Sequence, residues 1–147
     1  MRRKFEVFFP HHGPEALFAL VDDIEAYPAF VPACLGTRVL AREGAWRRVR
    51  NVFGLGRLRI AFVSEARADP PRELVIESCD GPLRALRLRW LFEPRGEGCL
   101  LTCDILLEFA SGLFNALAVL AAPEFERKIV AAFERRAAGL PKGRAPA

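Results

Sequence analysis

Between residues 37 and 109 six short strand-like runs follow one another, each closed off by Gly, Pro or Asp, and several alternate cleanly between apolar and polar residues. Alternation sends successive side chains to opposite faces of an extended backbone, so each run reads as a strand with one face for a core and one for water. The runs are Thr37 to Arg42, Ala45 to Phe53, Arg57 to Ala66, Glu73 to Cys79, Arg84 to Glu93 and Cys99 to Phe109. In the fifth, Leu86, Leu88, Trp90 and Phe92 oppose Arg87, Arg89 and Glu93. In the sixth, Cys99, Leu101, Cys103, Ile105, Leu107 and Phe109 oppose Thr102, Asp104 and Glu108. In the third, Leu58, Ile60 and Phe62 oppose Arg57 and Arg59. Strands of this kind build an antiparallel sheet that needs covering on one face only.

Helical patterns at either end supply the cover. Lys4 to Phe9 reads as a first strand stopped by Pro10 and Gly13-Pro14. Pro14-Glu15 suits a first helical turn, after which Leu17, Phe18, Leu20, Val21 and Ile24 recur at helical spacing. Tyr27-Pro28-Ala29-Phe30-Val31-Pro32 ends that helix, because proline restricts the residue before it and lacks a backbone donor. A second, longer helix is predicted from about Leu113 to Leu140, with Phe125, Ile129 and Phe133 stepping along one face. Pro123 predicts a kink, or a break where Pro123-Glu124 restarts a helix. The order strand, helix, six strands, helix is that of an α+β domain. We expect one domain over residues 1–140 and a disordered tail over 141–147.

Composition narrows the function classes. A chain of 147 residues with 52% apolar and 27% charged residues has the balance of one folded core. The formal charge of +4 makes an anionic partner compatible without requiring one. Arg47, Arg48, Arg50, Arg57, Arg59, Arg84, Arg87, Arg89 and Arg95 fall in the strand region, so one face or edge of the sheet should be basic. Four cysteines make neither a disulfide framework nor a metal motif, and they read as buried thiols. His11 and His12 are adjacent and read as surface residues, leaving no metal site. The basic N-terminus meets Glu6 and Pro10 before any apolar signal core develops, from which cytoplasmic residence is expected. The uncharged stretch Phe109 to Pro123 is shorter than the ~20 residues of a bilayer span. It can still press against a membrane, which allows a place peripheral to the inner membrane.

A curved sheet beneath one long helix has room for a cavity. The inward rows carry Leu86, Leu88, Trp90, Phe92, Ile60, Phe62, Leu101, Ile105 and Phe109, a lining suited to lipid or equally to a solid core. Periodicity leaves both readings open.

Three clusters resemble the coenzyme-Q-binding and ribosome-association toxin branch of the START-like, polyketide-cyclase superfamily. The first is the acidic helix end running into Tyr27-Pro28-Ala29-Phe30-Val31-Pro32-Ala33-Cys34. The second is Asp80-Gly81-Pro82-Leu83 followed by Trp90-Leu91-Phe92. The third is Leu107-Glu108-Phe109-Ala110-Ser111 leading to Phe125 and Val130 through Ala137. Ala33 departs from the pattern, since relatives often carry Trp there.

The resemblance implies a helix-grip fold: a curved antiparallel sheet wrapped around the C-terminal helix, with a hydrophobic tunnel between them. It implies ubiquinone or a similar isoprenoid lipid as bound ligand, with no covalent cofactor. On that reading the ligand-binding residues are Tyr27, Phe30, Ile60, Phe62, Leu88, Trp90, Phe92, Phe109, Phe114, Leu117, Phe125 and Ile129. Tyr27 either hydrogen-bonds a quinone carbonyl or packs the turn. Trp90 and Phe92 either stack on the ring or fill the core. Phe114, Leu117, Leu120 and Phe125 are placed to gate the cavity. The leading expectation is a non-enzymatic carrier supporting quinone delivery and respiration. The alternative is a ribosome-associated regulator or toxin on the large ribosomal subunit, with binding lost when Arg87 and Arg89 become Glu. A polyketide aromatase or cyclase is the second alternative, but no set of convergent polar residues suggests itself. A monomer, or a weak homodimer through Phe109 to Pro123, is expected.

Overall fold

The computed structural model describes residues 1–140, apart from the side chain of Leu55, and the tail expected over 141–147 lies outside the described residues. Seven strands form one antiparallel sheet in the order β1-β7-β6-β5-β4-β3-β2. They are β1 (Arg2–Phe9), β2 (Cys34–Glu43), β3 (Trp46–Leu55), β4 (Leu58–Asp69), β5 (Glu73–Ser78), β6 (Leu83–Arg95) and β7 (Gly98–Phe109). Strands β2 to β7 follow one another as a meander, and β1 closes on β7 at the far edge. The sheet is open, with β1 and β2 as its edges, and is not strongly curled.

Helix α1 (Pro14–Asp22) and a 3₁₀ segment (Ile24–Ala29) link β1 to β2, and helix α2 (Gly112–Ala138) follows β7. The first helix ends two residues earlier than its apolar spacing suggests. Pro28 then sits inside the tighter 3₁₀ turn, where the Phe30 and Val31 N–H groups both bond the Tyr27 carbonyl. Helix α2 runs unbroken through Pro123. The proline is exposed, as is Val119 four residues earlier, so the carbonyl deprived of its partner faces water. Ser111 caps the helix by accepting from the Phe114 N–H.

Apolar packing divides into two clusters of unequal size. The larger joins α1 to the middle of the sheet through Leu17, Phe18, Val21, Leu74, Phe92 and Leu101, and takes Phe133 and Ala137 from the C-terminal half of α2. The smaller holds the N-terminal half of α2 with three buried residues, Ile60, Leu83 and Phe109, against which Phe114 and Ala118 pack. Gly81 fixes the β5–β6 turn at that end. Its φ of +60° suits glycine, and a Cβ there would lie 2.7 Å from the Ala61 carbonyl oxygen.

Two ion pairs tie the helices to the strands. Arg47 turns inward from β3, only 6% exposed, and grips the end of α1 by donating to both the Asp22 carbonyl and its carboxylate. Arg3 on β1 makes a fork with Glu126 on α2, its Nη2 lying 3.0 Å from Oε2.

Candidate functional site

The inner face meets the helices in three zones. At one end Phe92 packs edge-on against Phe18 of α1, with ring centroids 5.2 Å apart. In the middle, Trp90 lies 5.5 Å from Phe133 and 5.8 Å from Phe5, while Phe30 and Tyr27 complete the aromatic cluster at 5.2 and 6.1 Å from Phe133. Toward the other end, Leu88, Ile105, Ile129, Leu86, Leu107 and Phe62 remain only partly buried along the seam between the two clusters. Phe125 is half-buried on the same side of α2.

This arrangement corrects the expected open tunnel. The space beside Tyr27, Phe30 and Trp90 is filled by Phe133, because aromatic rings of this size interlock when a bulky residue on α2 faces a tryptophan on the sheet. Phe92 belongs to the α1 interface. Leu117, 48% exposed, and Leu120, 79% exposed, lie on the outward side of α2. Ile60, Phe109 and Phe114 form the small cluster, Phe109 and Phe114 meeting edge-on at 5.7 Å. Two concavities open at the surface, and of the expected ligand residues only Phe30 lines either of them. One of ≈ 360 Å³ lies between Ala29, Phe30 and the Ala132, Arg135 and Arg136 turn of α2, and one of ≈ 270 Å³ lies beside Asp22, Arg42 and Arg47.

The inner face is not wholly apolar. Asn51 and Ser64 are buried side by side, the Asn51 amide donating to Ser64 Oγ at 2.9 Å and to the Val49 carbonyl. The Tyr27 hydroxyl donates to the Val21 carbonyl, and burial raises its pKa well above the ordinary phenol range. Burial likewise pushes the Cys34 and Cys99 thiols up to about 11 and Cys103 higher still, so none of the three is a thiolate near neutral pH. Of the two histidines expected at the surface, His11 is exposed and His12 is buried. Among the described residues no group of three His, Cys, Asp or Glu could hold a metal ion.

The outer face is a grid of charges whose two halves differ. On β5, β6 and β7, Arg89 donates to Glu73 at 3.0 Å and stands opposite Asp104, and Arg87 stands opposite Glu77. On β2 and β3, Arg38 stands directly opposite Arg50, both exposed, and neither joins any ion pair among the described residues. Arg48 shares that face and lies 5.3 Å over the Trp46 ring, while its nearest carboxylate, on Glu65, is 3.9 Å away. Arg67 is paired in register with Trp46 and is also exposed. The patch therefore holds the facing pair Arg38 and Arg50 and, further along β3, Trp46 with Arg48 and Arg67, with Glu65 opposite Arg48 and Glu43 opposite Trp46.

Sequence reading missed Trp46, Arg38 and Arg67 as members of this patch. The alternation Trp46, Arg48, Arg50 against Arg47, Val49, Asn51 was available as a signal. The opposition of Arg38 to Arg50 was not, since it depends on register.

Residues 11–134 match the polyketide cyclase / dehydrase and lipid transport family. The chain belongs to this family. Among its members, the ribosome association toxin RatA of Vibrio cholerae is 29% identical over 84% of this chain and 86% of its own length. The mitochondrial coenzyme Q-binding protein COQ10 homolog B of Xenopus laevis is 30% identical over 84% of this chain and 52% of its own length. A solved structure of TTHA0849 from Thermus thermophilus shares the fold, with a TM-score of 0.80 at 22% identity over 95% of this chain and all of that one. Family membership agrees with the resemblance carried by the Tyr27 to Cys34 cluster. Among the described residues no helix is long and apolar enough to cross a membrane.

Proposed function

We propose that the protein is a ribosome-associating member of its family, contacting RNA on the large subunit through the outer face of β2, β3 and β4. The observation that carries this reading is the juxtaposition of Arg38 and Arg50. Like charges directly opposite each other across two strands destabilise a sheet, and a bridging phosphate would turn that cost into attraction. Trp46 beside Arg48 and Arg67 adds a π-surface of the kind on which bases stack. The ribosome association toxins from Vibrio cholerae and Escherichia coli, with which the chain aligns along most of their length, support the same reading. The action is binding and carries no catalytic step. The test is co-sedimentation of the purified protein with large ribosomal subunits at low salt. Recovery in the pellet that disappears as salt is raised, and that R38E/R50E abolishes, is the expected result. Failure to sediment at low salt removes the proposal.

A second reading is supported by the seam between the two apolar clusters and by the coenzyme Q-binding relative. A greasy ligand, ubiquinone or another isoprenoid lipid, would enter between Leu88, Ile105, Phe125 and Ile129 as Phe133 turns aside. Ring displacement from a packed cluster costs several kcal/mol, on the scale of ~3–5 kcal/mol for deleting such a side chain, and a long apolar tail can repay it by area. Organic extraction of protein from its native host followed by mass spectrometry decides between the readings. A near-stoichiometric prenyl lipid supports the ligand, and clean protein that still sediments with ribosomes leaves the first reading alone.

A further inference from the structure

The N-terminal half of α2 presents an apolar stripe with nothing packed on it. Leu113 is 67% exposed, Leu117 48% and Leu120 79%, and they recur at positions i, i+4 and i+7 on the side away from Phe114, Ala118 and Ala122. From Phe109 to Pro123 the sequence holds no charged residue, while the same stripe beyond Pro123 turns polar at Glu124 and Arg127. Apolar exposure is therefore concentrated in the first three turns.

Cations surround that end. Ile60 and Leu83 pack in one cluster with Phe114, which brings the neighbouring residues Arg57 of the β3–β4 turn, Leu58 and Arg59 at the start of β4, and Arg84 of β6 to the same end of the molecule. All four are exposed, and among the described residues none of the three arginines enters an ion pair. Of the acids nearby, Asp80 already accepts from the Val63 N–H at 2.8 Å and Glu108 is half-buried.

We propose that this end of the molecule docks on an anionic lipid bilayer, with Leu113, Leu117 and Leu120 entering the boundary between headgroups and acyl chains while Arg57, Arg59 and Arg84 meet lipid phosphates. A convex apolar helix face with a cationic rim is complementary to such a surface, which offers hydrocarbon beneath a layer of negative charge. A second copy of the chain is the poorer occupant. Three turns of one helix offer little of the roughly 800 Å² that each partner gives to a stable complex, and pairing two copies would bring their arginine rims together. The inference uses none of the residues of the outer arginine patch and stands whether or not the protein binds ribosomes.

Flotation of the full chain with vesicles tests it. Binding to phosphatidylcholine vesicles containing phosphatidylglycerol is expected at low salt, at least tenfold stronger than to phosphatidylcholine alone. L113S/L117S/L120S should lose at least tenfold, and R57E/R59E should remove the preference for the anionic vesicles. Leu120 is so exposed that L120S keeps the fold in any case, and it should weaken flotation about threefold. Three results would overturn the proposal: a wild-type chain that floats with neither vesicle, binding that L120S and R57E/R59E leave unchanged, or a solution dimer that L120S dissolves.

Discussion

The two halves of the outer sheet face have the same alternation and nearly the same density of arginine, yet they differ in what each arginine meets. On β5, β6 and β7 two outward arginines stand against acids one strand away: Arg89 donates to Glu73 and stands opposite Asp104, and Arg87 stands in register with Glu77. On β2 and β3 the register sets Arg38 against Arg50, while Arg48 lies over Trp46 and pairs loosely, at 3.9 Å, with Glu65 opposite it on β4. In the first half Arg89 is held by Glu73, and an exposed pair of this kind gives at most ~1 kcal/mol. In the second, Arg38 and Arg50 face each other and have no carboxylate partner among the described residues. Composition counts both halves as equally basic, whereas pairing separates them.

The largest expected effect lies beneath both halves: Phe133→Ala should cost ~3–5 kcal/mol in urea unfolding, since the ring is 4% exposed and touches Trp90, Phe30 and Tyr27. Ribosome affinity measured below the unfolding transition should be unchanged, because the outer face keeps its register. R38E/R50E comes next, with a loss of ribosome affinity of ~2–4 kcal/mol if each reversal removes a phosphate contact of the charged hydrogen-bond class. Trp46→Ala should weaken binding by ~1–3 kcal/mol where a base stacks on the indole, and much less if Trp46 only supports Arg48.

Alkaline pH acts on stability and not on ribosome binding, and so gives a separate readout. The Cys34 and Cys99 thiols titrate at about 11 in the folded chain and at an ordinary 9.0 when unfolded, so above 9 the unfolded state has lost protons that the folded state keeps. Stability should be full below pH 9 and fall as pH rises toward 11, with Cys34→Ala and Cys99→Ala flattening the decline in urea midpoints. Because Arg89 is held by Glu73 and Arg87 stands opposite Glu77, the loss of binding expected from sequence for R87E/R89E gives way to the smallest effect on ribosome affinity, less than threefold. A loss as large as that of R38E/R50E would erase the distinction between the halves.

Much of the fold was legible because it rests on periodicity. The alternation of Leu86, Leu88, Trp90 and Phe92 placed β6 correctly, and the Pro28 and Pro32 breakers placed the end of α1 within a few residues. The contents of the interior were less legible. The same alternation is compatible with an open chamber or a packed one, and the choice depends on whether a residue such as Phe133, some forty positions away in sequence, lies over Trp90. Burial by neighbours of unrelated sequence position leaves no local signature. Arg47 and Arg48 make the same point: adjacent and identical, one is locked on Asp22 inside the fold and the other lies over an indole outside. The family cluster from Tyr27 to Cys34 gave the fold directly, while the site on the outer face required strand register.

The most direct test of the account is the salt dependence of binding to purified large ribosomal subunits, compared for three proteins. The log–log slope of the wild type should become shallower by about two in R38E/R50E and stay the same in R87E/R89E, since each phosphate contact contributes a slope of about 0.9. Equal slopes for the wild type and R38E/R50E, or a change confined to R87E/R89E, would contradict it.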